Sequence, residues 1–259
     1  QVKKGKLDES YLDEAVKHIL TIKLRLNLWE KPLKKGIPGS IGCRSHLNAA
    51  VEAARESVVL LKNNGVLPVR KDKKIRRIAV IGPNADDIRA QYGDWTYFTH
   101  PVPGIEKEPQ RPYVTILEGM RDIADHKGIE IRYSYGCSVN RREYYKGNFE
   151  SIPAFMEQCY IDNSRKADTY KEMPFINEAA SMARECDLIV LAIGDNYNQA
   201  GEYNDRAELR PSGMQEALVR VLSTLHIPMI TVVVASKPLV LTDIVEKSDA
   251  VICAFNGDD

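Results

Sequence analysis

DLIVLAIGDNYNQAGEYNDRAEL, Asp187 to Leu209, changes character in its middle. Leu188 to Ile193 is apolar without alternation, which is the pattern of a strand covered on both faces. Gly194 ends the run. The residues that follow are polar and carry Asp195, Glu202, Asp205 and Arg206 together with two tyrosines. A buried strand that opens into an acidic loop is the signature of an α/β sheet with a ligand site at its strand ends.

The same alternation extends in both directions. IAVIG (78–82), EIRYSY (130–135), Met229 to Val234 and Ala250 to Phe255 read as further strands. LNAAVEAARESVVLLKN (47–63) reads as a helix capped by Ser45 and closed near Gly65. Thr115 to His126, Phe175 to Cys186, Ser212 to Leu225 and Leu239 to Glu246 read as helices between strands. The predicted architecture is α/β, a three-layer α/β/α sandwich around a mostly parallel sheet. Residues 138–174 are polar, break the rhythm and read as an insertion over one sheet edge.

Upstream, Leu12, Val16, Ile19, Leu20 and Leu26 recur near helical spacing within residues 11–29, where Asp8 or Ser10 can cap a helix. Residues 31–45 hold prolines and glycines and read as a linker. The sandwich is expected over residues 46–259.

The chain has 259 residues, and 36 Lys+Arg balance 36 Asp+Glu. That neutrality argues against nucleic acid as a partner. No apolar run approaches the ~20 residues of a membrane span. The five cysteines form no C-x-x-C and no cluster with histidine, so no zinc site is implied, and their odd number argues against a full disulfide framework. Cys186 and Cys253, in or beside apolar runs, are expected to be buried thiols. GPNADD after the first buried strand is not G-x-G-x-x-G, and no phosphate-binding P-loop occurs. G-x-S-x-G is absent, and His18, His46, His100, His126 and His226 fall mostly on helices or in loops, where they read as surface or capping histidines and not as bases.

Carboxylate chemistry is what is left. The expected strand-end loops, 82–87, 135–140, 194–206, 235–238 and 255–259, are polar and suit the hydroxyls of a sugar. Glu202 follows Gly201, whose backbone freedom can turn the side chain into a cleft. Asp205 and Arg206 can anchor that loop as a carboxylate–guanidinium pair. On spacing alone, a solvated loop carboxylate is the favoured reading of Glu202. Nothing in the chain identifies the second carboxylate that glycoside hydrolysis uses.

Several motifs resemble those of family 3 glycoside hydrolases, the β-glucosidase/β-xylosidase family. LDEAVKHILTIKLRLNLWE (12–30) resembles the last helix of that family's barrel domain. AARESVVLLKNNGVLP (53–68) resembles the first helix of its second domain, and IAVIGPNAD (78–86) the strand that follows. Cys186 to Gln215 resembles its pattern of strand, GE..DR, leucine and a glutamine-bearing helix. Residues 138–174 match none of these motifs.

The resemblance implies a (β/α)8 barrel followed by an α/β sandwich, with sugar bound between them. It implies that residues 1–30 include the barrel's last helix and that the chain stops where family members continue. It implies a retaining, exo-acting β-glucosidase or β-xylosidase whose nucleophile, an aspartate in an SDW-like motif absent here, lies in the barrel. Gly201-Glu202-Tyr203-Asn204-Asp205-Arg206 lines up with the segment that carries the acid/base in many members, so Glu202 takes that role. Gly93-Asp94-Trp95-Thr96 resembles a segment that sets an aromatic against the sugar, which gives Trp95 and Asp94 a substrate-binding role; a packing role for Trp95 is the alternative. The implied partners are a β-linked oligosaccharide or glycoside and the barrel of the same polypeptide. No metal or organic cofactor is implied. A periplasmic or secreted setting is implied, and the chain alone is expected to be inactive. A sandwich that only binds carbohydrate or serves assembly is the alternative function. LRPSGMQ (209–215) and Ser236 in ASKP depart from the family pattern near the cleft.

Overall fold

The structure is a computed structural model, and it describes residues 1–31, 42–69, 74–93, 113–139, 169–196, 199, 201 and 208–256. By contacts the chain divides into two compact units, Gln1–Asn48 and Ala49–Asp259.

The first unit holds a short 3₁₀ turn, Val2–Lys4, and helix α1, Ser10–Arg25. Of the two expected caps Asp8 serves: its carboxylate accepts from the Ser10 N–H at 2.9 Å at the first residue of the helix, while Glu9 between them makes no side-chain cap bond. Lys23 and Arg25 in the last turn complement the carbonyl end of the helix. No residue of α1 is buried, and Leu12, Val16, Ile19 and Leu20 of its apolar stripe stand exposed.

Helix α2, Arg44–Ser57, ends six residues before the expected helix does. Ser45 lies inside it and does not cap it. The Ser57 hydroxyl donates to the Ala54 carbonyl at 2.8 Å, satisfying one of the orphan carbonyls of the last turn. Val59–Asn63 then forms strand β1 instead of a helical turn. β-branched Val58 and Val59 favour extended backbone. A free sheet edge supplies the partner: β1 pairs antiparallel with the last strand, in the register Val59↔Cys253 to Asn63↔Ala250. Lys62 Nζ fixes it further by donating to the Val245 carbonyl at 2.6 Å.

The remaining elements are β2 (Arg77–Ile81), α3 (Ile88–Tyr92), α4 (Ile116–Asp125), β3 (Glu130–Ser134), α5 (Thr169–Ala183), β4 (Leu188–Gly194), α6 (Gln215–Ser223), β5 (Met229–Val234), α7 (Thr242–Lys247) and β6 (Ala250–Cys253). With β1 they build, among the described residues, a six-stranded sheet in the order β1-β6-β5-β4-β2-β3, in which β1 is antiparallel and the other pairings are parallel. The mostly parallel sheet matches the expected fold class. Alternate side chains feed two cores. Ala79, Ile81, Ile189, Leu191, Ile193 and Val233 pack with Ile176 of α5, Leu218 and Leu222 of α6 and Ile244 of α7. Ile78, Val80, Leu188, Val190 and Ala192 pack with Leu117 of α4 on the opposite face. Towards β1 the cover thins on both faces, and Val59, Leu60 and Leu61 are exposed. Cys186 is buried as expected, whereas Cys253 is half-exposed. Helix α5 begins inside the expected insertion 138–174, and Glu172 on it accepts from both the backbone and the hydroxyl of Ser138.

Candidate functional site

Chain order and sheet order disagree between β2 and β4. From β2 the chain passes to β3 on one side, then returns to place β4 on the other. Connections leaving these strands diverge, and the carboxyl ends of β2 and β4 flank the crevice where open parallel sheets bind ligands.

Glycines make close packing possible there. Gly82 follows β2 at φ 119°, and a Cβ on it would lie 2.0 Å from the Ala192 carbonyl oxygen. Gly194 ends β4 at φ 144°, where a Cβ would lie 1.8 Å from the Val234 carbonyl oxygen. Both conformations suit glycine alone. Past them, Asn84 and Asp195 are buried at 1% and 2% exposure. The Asn84 amide donates to the Asp195 carbonyl at 2.7 Å and so ties the two strand ends together.

A second polar network borders β4. The Gly194 N–H donates to Gln215 Oε1 at 2.7 Å, and Gln215 Nε2 donates to the carbonyls of Gly194 and Ser212, both at 2.9 Å. Gln199 Oε1 accepts from the Asn196 N–H at 3.3 Å, and Gln199 Nε2 donates to Ser212 Oγ at 2.6 Å. Lys237, after β5, donates its ammonium to the Gln199 carbonyl.

The β2 side is equally built. Asp87 caps α3 by accepting from the Ala90 N–H at 3.1 Å. Thr115 caps α4 in a reciprocal capping box with Glu118, and its hydroxyl also donates to Asp86 at 2.8 Å. After β6, Asn256 donates to the Ala90 carbonyl at 2.7 Å and accepts from Ser236.

Titration narrows the chemistry. Burial, reinforced by Asp86, Tyr135 and Asp87, pushes the Tyr133 phenol up to about 12. Burial, with Glu172 nearby, does the same to the Cys137 thiol, to about 12. Neither is a base or nucleophile near neutral pH. Among the described residues no group of three His, Cys, Asp or Glu could hold a metal ion, and no helix is long and apolar enough to cross a membrane.

Asp94, Trp95, Glu202, Asp205 and Arg206 all lie outside the described residues. Their described neighbours are Gly93, at the end of α3, and Gln199 and Gly201 in the loop after β4. The buried amides were not anticipated as site residues. Gln215 carried a signal: with Leu218, Val219 and Leu222 it occupies the core-facing stripe of α6, where an amide needs a polar partner. Gln199 and Asn84 carried none beyond their place in polar loops.

Residues 58–259 match the glycosyl hydrolase family 3 C-terminal domain. Among curated relatives, a β-xylosidase of Formosa agariphila is 29% identical over 95% of this chain and 30% of its own length. A periplasmic β-glucosidase of Salmonella typhimurium is 29% identical over 97% of this chain and 31% of its own length. Among solved structures, a β-glucosidase involved in saponin metabolism from intestinal bacteria superposes with a TM-score of 0.72 at 33% identity, covering 99% of this chain and 36% of that one. The chain thus spans about a third of the length of these relatives.

Proposed function

Because this chain belongs to glycosyl hydrolase family 3 and carries its C-terminal domain over residues 58–259, we propose that it is the part of a retaining, exo-acting β-glucosidase or β-xylosidase that supplies the acid/base. The observation that carries the reading is the family match across the whole sheet, whose strand-end loops include the acidic loop after β4. On this reading residues 1–30 end in the last helix of a (β/α)8 barrel, residues 31–45 link it to the sandwich, and the nucleophilic aspartate lies in that barrel.

The chemistry has two steps. The barrel aspartate attacks the anomeric carbon while Glu202 gives its proton to the departing glycosidic oxygen. Glu202, now a carboxylate, takes a proton from water, which attacks the glycosyl-enzyme and releases sugar with its configuration retained. Two carboxyl groups about 5–5.5 Å apart suit this sequence. Asp205 and Arg206 hold the loop as an ion pair, and Asp94 and Trp95 meet the sugar, the indole against its C–H face.

Glu202→Ala in the full-length enzyme tests the assignment. A sugar alkoxide needs a proton to leave and dinitrophenolate does not. Hydrolysis of a disaccharide should fall by ~10²–10⁴-fold. Formation of the glycosyl-enzyme from a dinitrophenyl glycoside should persist, with a burst, and azide should restore turnover because it needs no base. Equal slowing of both substrates without azide rescue would assign the role to another carboxylate.

A further inference from the structure

We infer that Gln215 is a positioning residue for the acid/base loop, acting through the backbone of Gly194. The inference rests on the role proposed above for Glu202.

β2 pairs with β4 only as far as Ile81↔Leu191, while β5 continues beside β4 to Gly194↔Val234. The last residues of β4 therefore outrun their neighbour on the β2 side. The Gly194 N–H and carbonyl meet no strand there, and the Gln215 side chain takes that strand's place. One amide accepts from the N–H at 2.7 Å and donates to the carbonyl at 2.9 Å, as a paired peptide group would. Its second N–H goes to the Ser212 carbonyl at 2.9 Å. Gln215 has no exposed surface, so each bond forms away from water and its loss leaves a buried polar group unpaired.

These bonds join the two ends of one loop. Gly194 begins the segment that carries Glu202, and Ser212 follows it. Gln199 repeats the arrangement one step further on, accepting from Asn196 and donating to the Ser212 hydroxyl. Both ends are thus tied to the start of α6, and α6 is anchored by Leu218, Val219 and Leu222 in the core. A carboxylic acid must sit within hydrogen-bond reach of the leaving oxygen, and a displacement of ~1 Å can cost ~10²-fold. A buried amide bridge is suited to prevent that displacement. Only a carboxamide both accepts and donates here; a carboxylate would set negative charge against two carbonyl oxygens.

Gln215→Met in the full-length enzyme, compared with Glu202→Ala, is the experiment. The expected result is the phenotype of a lost acid/base from a residue that does not touch sugar. Turnover of a disaccharide falls by ~10²-fold, glycosyl-enzyme formation from a dinitrophenyl glycoside stays within a few-fold, and azide accelerates release. Gln215→Glu should show the same pattern at neutral pH, and its loss relative to the parent enzyme should shrink on acidification, as the protonated carboxyl regains a donor. Should Gln215→Met fail to fold, the pH dependence of Gln215→Glu, which alters the same amide bridge, carries the same comparison. Equal losses on both substrates, or none, with Glu202→Ala behaving as an acid/base variant, would overturn the positioning role alone. Glu202→Ala without azide rescue would overturn the acid/base assignment and this inference with it.

Discussion

Strand β4 and helix α1 are built from similar side chains and meet opposite fates. All seven residues of β4 are buried, with neighbours on both faces and both edges of most of the strand. α1 has sixteen residues and none is buried, although Leu12, Val16, Ile19 and Leu20 form an apolar stripe along it. Periodicity marks both elements clearly. What differs is the partner. Removing a large aliphatic side chain from water is worth about 1.5–3 kcal/mol, and of these two elements β4 collects that gain among the described residues. An isolated helix of this length is marginal in water, so α1 owes its role to a surface it can cover. On the reading proposed above, that surface is the barrel.

The contrast can be broken most forcefully at Leu191. It is fully buried between β4 and the helices on its face. Leu191→Ala should cost about 2–5 kcal/mol, read as a lower midpoint in chemical denaturation. A loss below about 1 kcal/mol would mean that the sheet centre is less tightly packed than its burial indicates.

Thr115, at the start of α4 on the opposite face of the sheet, should matter less. Its hydroxyl caps α4 and donates to Asp86. Thr115→Ala should cost about 1–2 kcal/mol and Thr115→Ser much less, since serine keeps the cap. Equal losses from both would trace the effect to the methyl group.

Ile19, with 56% of its surface exposed, should show the smallest effect. Ile19→Ser in this chain should change stability by no more than about 0.5 kcal/mol. In the full-length protein the same substitution should cost several times as much. Equal, small effects in both would mean that α1 stays uncovered there and would remove the barrel contact from the proposal.

The sandwich was legible because parallel strands such as LIVLAI and MITVVV are apolar on both faces, a pattern that depends on neighbours in sequence alone. The polar strand ends followed from the same rule, whereas the role proposed for Glu202 rests on resemblance to a family segment and its position lies outside the described residues. VVLLKN was misread as helix because its composition allows either form, and the edge of β6 decided the outcome. The amide bridge of Gln215 was only hinted at. A buried polar residue on an apolar stripe announces that it has a partner but not which one.

The sequence by itself determined which segments are strands and helices in the core, and which strand ends are polar. Those properties arise from side-chain chemistry repeated at short spacing. Tertiary structure alone decided that β2 stops short of β4, and that Gln215, 21 residues from Gly194, fills the gap. It also alone decided that Asn84 reaches Asp195 across 111 residues. Such contacts depend on the register and twist of packed elements, which no local pattern encodes.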